Sequence, residues 1–459
     1  MAVAPTVLIM AAGHGTRMRS ELPKALHPVC GRPMLEWVVR GAHDAGATRV
    51  VCITRPGEGV SERVPDGAEM VEQVEGEGTG SAVLAARAAI DPEATVVVLS
   101  GDVPLVRGEL VAGLIDAHER AGALATLLTT EELDPAGYGR VVRGSDGAVE
   151  RIVETKHTED VPAEELAIRE INVGVYAFAG AELVSALDAV PITAGERYLT
   201  GVLPEIRARG GAIAAHLTSD TSSAMGVNTR VDLMAVEALA RQRLIEGHAL
   251  AGVAFPVPES VHLDADVEIG PDTVIGPGVT LTGASRVGRG CRIGPHTTAD
   301  GVRIGDRAVV PHSYLTDCEV GEGASVGPFA YLRPGARLEA GAKAGTFVEV
   351  KNSTIAAGAK VPHLSYVGDA DVGEGANLGA GTITANYDGH EKHRTLIGRG
   401  ARTGVHTSLV APVHVGDGAY TGAGSAITED VPEGALGIAR PEQRNVEGYA
   451  ERARERSRR

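Results

Sequence analysis

Aliphatic residues recur at every sixth position through much of the second half of the chain. The repeat is interrupted twice and resumes each time, and a glycine commonly follows the aliphatic residue. This period predicts a parallel β-helix, in which each coil has three short faces and one aliphatic side chain points inward from each face. A two-layer β-sandwich is the alternative, but it would need alternating strands of five or more residues, which this region lacks. The repeat positions are Ile269, Ile275, Leu281, Val287 and Ile293, then Val320, Val326, Leu332 and Leu338, and finally Ile397, Thr403, Leu409, Val415, Thr421 and Ile427.

The first half has a different pattern, in which apolar runs alternate with stretches of helical spacing. Near-continuous apolar runs are typical of strands buried on both faces, so the pattern predicts an α/β sheet covered by helices. Strands are predicted at 7–10, 49–53, 95–100, 124–129 and 172–178, and helices at 34–45, 80–89 and 108–121. The expected division is an α/β domain over 1–229, a linker helix over 230–250, the β-helix over 251–440 and a charged, frayed tail over 441–459.

Charge and composition exclude several classes of protein. The net charge of −17 argues against a binder of duplex nucleic acid, which needs a basic face. The four cysteines are scattered and form no CxxC pair, so neither a zinc site nor a disulfide scaffold is expected. No apolar run reaches the ~18 residues of a membrane span, and no export signal is seen. We therefore expect a cytoplasmic protein with no nucleic-acid or membrane partner.

The stretch VLIMAAGHGTRM, residues 7–18, ends an apolar strand in two glycines spaced as G-x-G. It lacks the third glycine of the dinucleotide fingerprint and the GK[ST] of the Walker loop. Arg17 and Lys24 lie close behind and, with the backbone N–H groups of the turn, predict an anion site. An ordinary strand-to-helix turn with solvated cations is the alternative. The glycines are expected to allow close approach of a nucleotide, and His14 is interpreted as a solvent-facing loop side chain.

Three further motifs favour a nucleotide site. SGDVPL places Asp102 just after an apolar strand, at a carboxyl end where ligands of α/β sheets bind, and an aspartate there can hold Mg²⁺ on a triphosphate. GVNTR supplies Asn228, an oxygen ligand that could complete the metal site. EQVEGEGTGSA supplies Gln73, Gly78 and Thr79, which are amide and small residues suited to the flat edge of a base.

These motifs carry a resemblance to a known family. AAGHGTRM, LPKALH, EGTGSA, SGDVPL, GYGRVV, IVETKH, EINVGVY and GVNTR occur in order, followed by the hexapeptide repeats. Over nearly its whole length the chain resembles the bifunctional bacterial N-acetylglucosamine-1-phosphate uridylyltransferase / glucosamine-1-phosphate acetyltransferase family. The resemblance implies a Rossmann-like nucleotide-diphospho-sugar transferase domain followed by a left-handed parallel β-helix. It also implies synthesis of UDP-N-acetylglucosamine, a precursor of peptidoglycan and lipid A.

The resemblance implies roles for residues of the first half. Arg17 and Lys24 would act catalytically by neutralising the triphosphate of UTP and the leaving pyrophosphate, while Asp102 and Asn228 would bind Mg²⁺. The sugar 1-phosphate would attack the α-phosphorus of UTP in line, a step that needs positioning and charge neutralisation more than a protein base. The residues implied to bind UTP or UDP-N-acetylglucosamine are Ala11, Ala12, Gly13, Lys24, Gln73, Gly78, Thr79, Gly139, Glu154, Asn172 and Asn228.

Polar residues interrupt the hexads between 330 and 395. On a regular β-helix such residues are normally solvated, but here they fall on coils that rise only ~4.8 Å each and so can cluster. Acetylation of an amine needs a base that is active near neutral pH, which predicts His363 in that role, with Glu349 orienting its ring. By resemblance, glucosamine-1-phosphate would be held by Arg333, Lys351, Tyr366, Asn377 and Lys392, and acetyl-CoA by Ala380, Asn386, Tyr387, Val405, Ala423 and Arg440.

Several positions depart from the family pattern. His14, Ser81 and Gly201 do so in the first half, and Thr346 and Val405 in the second. Altered affinities for sugar and CoA are expected, with both activities retained. Homotrimers are implied by resemblance, with the acetyl sites between subunits. Two alternatives stay open: a monofunctional sugar-1-phosphate nucleotidyltransferase with a structural β-helix, and a non-enzymatic scaffold with a decayed nucleotide site.

Overall fold

The computed structural model describes residues 4–155, 161–193 and 195–458. The chain forms two compact units, Met1–Arg243 and Leu244–Arg459, and the boundary falls within the long helix Arg230–Leu250. The predicted fold class, an α/β domain followed by a parallel β-helix, is confirmed. The last two residues of the IVETKH motif lie outside the described residues.

A mixed sheet forms the centre of the first unit. Strand Thr6–Met10 lies parallel to Arg49–Thr54 on one side and to Thr95–Ser100 on the other. Strand Ile171–Ala179 runs antiparallel to its neighbours, so its amino end reaches the edge where the parallel strands have their carboxyl ends. The order across the sheet is Ile213–Leu217, Ala125–Thr130, Ile171–Ala179, Thr95–Ser100, Thr6–Met10, Arg49–Thr54 and Glu69–Glu72. Two further antiparallel strands pair beside Ile171–Ala179: Gly139–Arg143 and Val149–Val153.

Helices cover both faces of this sheet, which explains why its central strands are apolar throughout. Along the middle strand, Val7 and Ile9 pack in one buried cluster and Leu8 in the other, and all three are fully buried. Residues from different helices complete each cluster, so the alternation of side chains along a strand serves both layers. The helices are Met34–Asp44, Thr79–Ala85, Gly108–Ala121, Ala163–Leu166, Gly180–Ala189 and Val202–Ala208.

Three parallel sheets form the walls of the β-helix in the second unit. Every predicted repeat position is buried, and the aliphatic ones belong to one continuous core that runs along the coils. The ten-stranded wall comprises His262–Leu263, Thr280–Thr282, Thr298–Asp300, Tyr314–Thr316, Tyr331–Leu332, Glu349–Lys351, Tyr366–Gly368, Ile383–Ala385, Ser408–Val410 and Ala426–Ile427. The nine-stranded wall comprises Glu268–Ile269, Arg286–Val287, Arg303–Ile304, Glu319–Val320, Arg337–Leu338, Thr354–Ile355, Ala370–Val372, Thr395–Ile397 and Val413–Val415. The six-stranded wall comprises Val274–Ile275, Arg292–Ile293, Val309–Val310, Ser325–Val326, Lys343–Thr346 and Lys360–His363, and Tyr420–Thr421 pairs with Leu436–Gly437 near the end of the coils.

The first interruption of the repeat does not break the β-helix. Glu268 pairs with Arg286, but Arg286 pairs with Arg303 and Arg303 with Glu319, so the later coils are shorter by one or two residues. Since the loss falls at the corners, the inward positions still stack. A six-residue period therefore fails in the sequence although the core continues in the structure.

The second interruption contains an inserted loop. Thr354 pairs with Asp371, and Thr395 with Val413, but Ala370 pairs with Thr395, so one coil is longer than its neighbours. The extra residues lie between strands Ile383–Ala385 and Thr395–Ile397, and we call residues 386–394 the insertion loop. Beyond the last strand, an exposed helix, Tyr449–Ser457, lies within the segment 441–459 that was expected to form a tail.

Candidate functional site

A cavity of about 650 Å³ lies at the carboxyl edge of the central strands in the first unit. Strands Thr6–Met10 and Thr95–Ser100 end there, so the residues that follow them line it. The N–H of Val227 donates to the carbonyl of Asp102 at 2.8 Å, which brings a distant segment to the same edge. The predicted site residues in its wall are Ala11, Ala12, Gly13, Arg17, Lys24, Gln73, Gly78, Thr79, Asp102, Glu154 and Asn228.

Four of these side chains meet in one part of the cavity. The Lys24 ammonium forms an ion pair with the Asp102 carboxylate and donates to the amide oxygen of Asn228 at 2.9 Å. Arg17 donates to the same Asn228 oxygen at 2.8 Å. The hydroxyl of Ser100 donates to the other Asp102 oxygen at 2.7 Å and so orients the carboxylate. Two cations, an acid and an amide from four separate segments thus form one polar cluster.

The same cluster fits a magnesium ion. Oxygens of Asp102 and Asn228 converge on a single cationic atom, the Nζ of Lys24. Mg²⁺ is usually held by one or two protein oxygens while phosphates and water complete its shell. Within the described part of the chain, no three or more His, Cys, Asp or Glu side chains group as metal ligands. A metal at this place would therefore depend on substrate phosphates as further ligands.

The two glycines of the AAGHGTRM turn have different structural roles. Gly15 has a left-handed backbone, with φ of 59°, and a Cβ there would lie 2.6 Å from the Cβ of Lys24. Gly15 therefore lets Lys24 pack against the turn, and its expected close approach to a nucleotide stays a prediction. A Cβ on Gly13 would meet nothing within 4 Å, and this residue lines the cavity, so an incoming ligand can approach its backbone.

Buried hydrogen bonds fix the wall that contains Gln73, Gly78 and Thr79. The Gln73 amide is 2% exposed and donates to a carbonyl of the following loop at 2.9 Å. Gly78 has φ of 90°, and a Cβ there would lie 2.5 Å from the carbonyl oxygen of Arg197. The hydroxyl of Thr79 accepts the N–H of Leu199 at 2.9 Å. The chain around Arg197 and Leu199 therefore packs closely against this loop and supports its conformation.

Of Gly139, Glu154 and Asn172, which the resemblance assigns to the sugar nucleotide, Glu154 lies in the cavity wall, where it accepts a hydrogen bond from Thr200 at 2.8 Å. Gly139 and Asn172 do not line the cavity. They lie opposite each other on two antiparallel strands, and Asn172 donates to the Tyr176 hydroxyl at 2.6 Å. Their neighbours form the wall at this place: Tyr138, Val173 and Gly174. Gly139 and Asn172 thus support that wall.

Sequence reasoning missed Arg55 and Glu77, which line the cavity beside the turn. The Arg55 guanidinium donates to the Ala12 carbonyl at 3.2 Å and pairs with both carboxylate oxygens of Glu77 at 2.9 and 2.8 Å. It thereby joins the turn after the first strand to the loop that contains Gly78. His14 is exposed, with Nδ1 2.8 Å from Glu58, in agreement with its interpretation as a surface side chain. Arg55 lies two residues after the predicted strand 49–53, which is a weak signal on its own.

Replacement of Arg55 by alanine is expected to raise the KM for UTP in uridylyl transfer about 10-fold, because the two loops that it joins lose a charged hydrogen-bonded link. Arg49→Ala is the matched control: it removes a bidentate pair, with Glu69 at 2.9 and 2.8 Å, from the opposite end of the same strand. Steady-state kinetics of pyrophosphate release measure both variants. Equal KM values for Arg55→Ala and the unmodified protein would contradict the expectation.

Gly201 and Ser81, two positions where the sequence departs from the family pattern, adjoin this cavity. A Cβ on Gly201 would lie 2.7 Å from a methyl group of Val190, so a larger residue there needs a shift of the neighbouring chain. The Ser81 hydroxyl would lie 2.8 Å from a Cβ on Gly76, so the loop and Ser81 are closely packed. Both departures therefore coincide with tight local packing.

In the second unit, His363 and three residues predicted to bind CoA lie in one column at a corner of the β-helix. Backbone N–H groups of Gly381, His406 and Gly424 donate to the carbonyl groups of His363, Ala380 and Val405 in successive coils, at 3.2, 2.7 and 2.9 Å. The side chains of His363 and Val405 are exposed along this line. We call it the His363 column, and its members are His363, Ala380, Val405 and Ala423.

The ten-stranded wall next to this corner contains several residues predicted to bind the sugar phosphate. Arg333 directly follows strand Tyr331–Leu332, and Lys351 ends the next strand of the same wall. In the following coil, Lys351 pairs with Gly368. Gly368 ends the strand that Tyr366 begins, and the Tyr366 ring covers Gly368. A Cβ on Gly368 would lie 2.3 Å from the hydroxyl oxygen of Tyr366. Asn386 directly follows the strand after it. Arg333, Lys351, Tyr366 and Asn386 thus come together on one wall.

Four other predicted residues lie elsewhere. The backbone of Asn377 forms isolated β-bridges with Lys360 and with Arg402, on the side of the coil that contains the six-stranded wall. Tyr387 and Lys392 pair with each other in the insertion loop. Arg440 lies in an exposed segment beyond the last strand and follows Ala439, whose N–H donates to the Ser425 hydroxyl at 3.1 Å.

The predicted role of Glu349, orientation of the His363 ring, stays a prediction. Glu349 accepts a hydrogen bond from Arg333 at 2.9 Å and lies opposite Tyr366 in the ten-stranded wall. His363 lies opposite Thr346 in the six-stranded wall. Among the described residues, the carboxylate of Glu349 is thus engaged by Arg333, and no hydrogen bond joins it to His363.

Two family models match the chain. The MobA-like NTP transferase domain matches residues 7–206, and the bacterial transferase hexapeptide model, with six repeats, matches residues 266–298. Among the described residues, no helix is both long and apolar enough to cross a membrane.

Curated relatives match over nearly the full length of both chains. A bifunctional protein GlmU from Heliobacterium modesticaldum is 47% identical over 97% of this chain and 97% of its own. Those from Mycolicibacterium vanbaalenii and Mycobacterium tuberculosis are 45% and 44% identical, over 98% of this chain and 93% and 92% of their own. With an NTP transferase unit, a hexapeptide β-helix and this full-length identity, the chain belongs to the GlmU family of bifunctional uridylyltransferases and glucosamine-1-phosphate acetyltransferases.

Proposed function

We propose that the cavity of the first unit transfers uridylyl from UTP to N-acetylglucosamine-1-phosphate, and that the His363 column with its neighbouring wall acetylates glucosamine-1-phosphate. The observation that carries the first assignment is the meeting of Arg17, Lys24, Asp102 and Asn228 in one cluster of the cavity. Clustered cations beside an acid and an amide oxygen suit a triphosphate with its metal.

In uridylyl transfer, a phosphate oxygen of the sugar 1-phosphate attacks the α-phosphorus of UTP, the bond to the β-phosphate oxygen breaks, and pyrophosphate leaves. Arg17 and Lys24 hold the negative charge of the phosphates and of the leaving group. Lys24 is suited to this because its ammonium is mostly buried and already held in place by Asp102 and Asn228. Charges that are positioned before the reaction stabilise the transition state without reorganisation.

Asp102 and Asn228 are the residues that would hold Mg²⁺ in this cavity. When bound, the ion neutralises charge on the phosphates and orients them. Asp232 supports this arrangement because its carboxylate accepts the N–H groups of Asn228 and Thr229 at 2.9 and 2.8 Å. Those bonds fix the backbone from which the Asn228 side chain extends.

The remaining wall is assigned to the uridine and the sugar. The segment Ala11, Ala12 and Gly13, with Gln73, Gly78 and Thr79 opposite, is suited to a flat base because its groups are small or amide-bearing and fixed. Glu154 is assigned to the N-acetylglucosamine directly. Gly139 and Asn172 act through Tyr138 and Tyr176 of the wall.

In acetyl transfer, the amine of glucosamine-1-phosphate attacks the thioester carbonyl of acetyl-CoA, an N–C bond forms, and the C–S bond breaks to release the CoA thiolate. His363 takes the proton of the amine, a role supported by its exposed position at the head of the column. Arg333 and Lys351 bind the phosphate, with Tyr366, Asn377 and Lys392 on the sugar. Asn386 and Tyr387 lie at the acetyl group, and the CoA moiety follows the column past Ala380, Val405 and Ala423 to Arg440.

We further assign the enzyme to the cytoplasm, where UTP and acetyl-CoA are available. We also propose that it forms a homotrimer. Exposed rings on the β-helix support self-association: Phe329 and Phe347 stack at 5.4 Å and are 57% and 58% exposed. Stacked apolar rings on a surface favour a protein partner over water. Sedimentation equilibrium measures the mass of the assembly.

Two assays on the purified full chain test the proposal. One follows CoA release from acetyl-CoA with glucosamine-1-phosphate, and the other follows pyrophosphate release from UTP with N-acetylglucosamine-1-phosphate and Mg²⁺. We expect both to be positive. A silent acetyl assay would favour the monofunctional nucleotidyltransferase, whose β-helix needs neither His363 nor Asn386. Silence in both would favour a scaffold with a decayed nucleotide site.

A further inference from the structure

Asp369 lies at a corner of the β-helix, between the ten-stranded and the nine-stranded walls. It follows strand Tyr366–Gly368 and directly precedes strand Ala370–Val372. Its backbone is left-handed, with φ of 49°, and the residue is 7% exposed. A carboxylate buried to this extent is costly unless its oxygens accept hydrogen bonds or pair with a cation.

Residues of the coils on either side of Asp369 supply both the hydrogen bonds and the nearby cation. One oxygen accepts the amide of Asn352 at 2.5 Å from the preceding coil. The other accepts the amide of Asn386 from the root of the insertion loop, and the Lys351 ammonium lies 3.7 Å from the same oxygen. Burial works against the charged form of Asp369, but these hydrogen bonds and the charges of Lys351 and Lys392 outweigh it and hold the pKa of Asp369 below its usual range.

The insertion loop is already folded by its own contacts, apart from its root. Asp388 accepts the N–H groups of His390 and Glu391 at 2.8 and 2.7 Å and pairs with the His393 ring at 2.7 Å. At the far end, Arg394 pairs with both oxygens of Asp371 at 2.6 and 2.5 Å. At the root of the loop, the Asn386 amide donates to Asp369, and the Thr395 N–H donates to the Asp369 carbonyl at 3.1 Å. Asp369 therefore contacts both ends of the loop where they join the wall.

We propose that Asp369 is the positioning residue of acetyl transfer: it fixes the Asn386 amide and the Lys351 ammonium relative to each other across two coils of the β-helix. This inference rests on the proposed acetyl transfer, in which Lys351 holds the phosphate and Asn386 the acetyl end. Asp369 touches no reacting atom. Its buried carboxylate holds two groups that contact different substrates, Lys351 at the sugar phosphate and Asn386 at the acetyl group. Loss of the carboxylate would therefore displace one substrate relative to the other.

Asp369→Asn is the decisive variant. Asparagine tolerates the left-handed backbone that this corner requires, whereas alanine would add strain. It keeps one acceptor oxygen but loses the charge and the second acceptor, so the Asn386 amide and Lys351 are no longer held together. We expect kcat for acetyl transfer to fall roughly 10- to 100-fold, as misplacement of reacting groups does, with a KM rise for glucosamine-1-phosphate. Pyrophosphate release by the first unit is expected to stay within twofold.

Asp371→Asn is the matched control, since Asp371 is half exposed, lies two residues away and anchors the other end of the same loop through Arg394. It is expected to change acetyl transfer less than threefold. A double variant, Asp369→Asn with Asn386→Ala, is expected to lose less than the product of the two single effects, because the two residues share one contact while Lys351 is affected only by the first change.

Three results would overturn the inference. The first is unchanged acetyl kinetics in Asp369→Asn. The second is a parallel fall of both activities and of the melting temperature, which would mean a role in folding alone. The third is strict additivity in the double variant. A silent acetyl assay in the unmodified protein would instead refute the proposed function itself, and Asp369 would then have no reaction to support.

Discussion

Replacement of Asp102 by asparagine is expected to lower uridylyl transfer about 100- to 1,000-fold while acetyl transfer is unchanged. The variant keeps the shape of the side chain but removes the charge that pairs with Lys24 and that would hold Mg²⁺. Loss of one preorganised electrostatic group at a reacting phosphate has effects of this size. Pyrophosphate release at saturating UTP and a titration of Mg²⁺ measure the effect.

The control for Asp102 is Asp116→Asn, which removes an exposed carboxylate from the helix Gly108–Ala121 of the same unit. It should leave both activities within twofold. If Asp102→Asn retained uridylyl transfer at more than a tenth of the unmodified rate, the cluster with Lys24 and Asn228 would be a structural ion pair in the cavity wall. A loss of both activities would mean that the substitution unfolds the chain.

Replacement of His363 by alanine is expected to lower acetyl transfer about 100- to 10,000-fold, the contribution of a positioned general base. Uridylyl transfer should be unchanged, since His363 lies in the six-stranded wall of the second unit. Because the imidazole is exposed, the space that alanine leaves is open to solvent, and added free imidazole should restore part of the CoA release.

His262→Ala is the matched control, because His262 is a partly exposed histidine in the first coil of the same β-helix, beside Asp264. We expect it to have no effect on either activity. Acetyl transfer in His363→Ala that equals the control would assign the proton to another group. Loss without any rescue by imidazole would indicate that the ring positions substrate and takes no proton.

Local patterns predicted most of the elements that position these sites. The strand 95–100 and the helix 108–121 were predicted with their observed bounds, because buried strands and amphipathic helices are marked by their own residues. Strands Glu69–Glu72 and Ile213–Leu217 were missed, since they are partly exposed and lack continuous apolar runs. The hexads predicted the β-helix, although shortened coils hid part of it.

The candidate sites were predictable where a residue directly follows a predicted strand or belongs to a quoted motif. Asp102 is the example: the end of an apolar strand marks it, and the structure brings it to Lys24 and Asn228. Arg55 and Glu77 were missed, although Glu77 lies in the EGTGSA motif, because their role depends on the ion pair between them and 22 positions separate them. The role of Glu349 stays a prediction, because spacing along a coil does not tell which side chains of neighbouring walls meet.

The sequence alone determined the two architectures, because a period of six and an alternation of apolar strands with helices depend on neighbours along the chain. It also determined which residue types were available for phosphate and proton chemistry. The tertiary structure decided which of them meet. The left-handed corner at Asp369 joins Lys351 and Asn386 across two coils, and Gly15 allows Lys24 to reach Asp102. Such contacts form when coils close and turns pack, because these steps bring distant residues within hydrogen-bond distance. They produce no periodic pattern in the sequence from which they could be predicted.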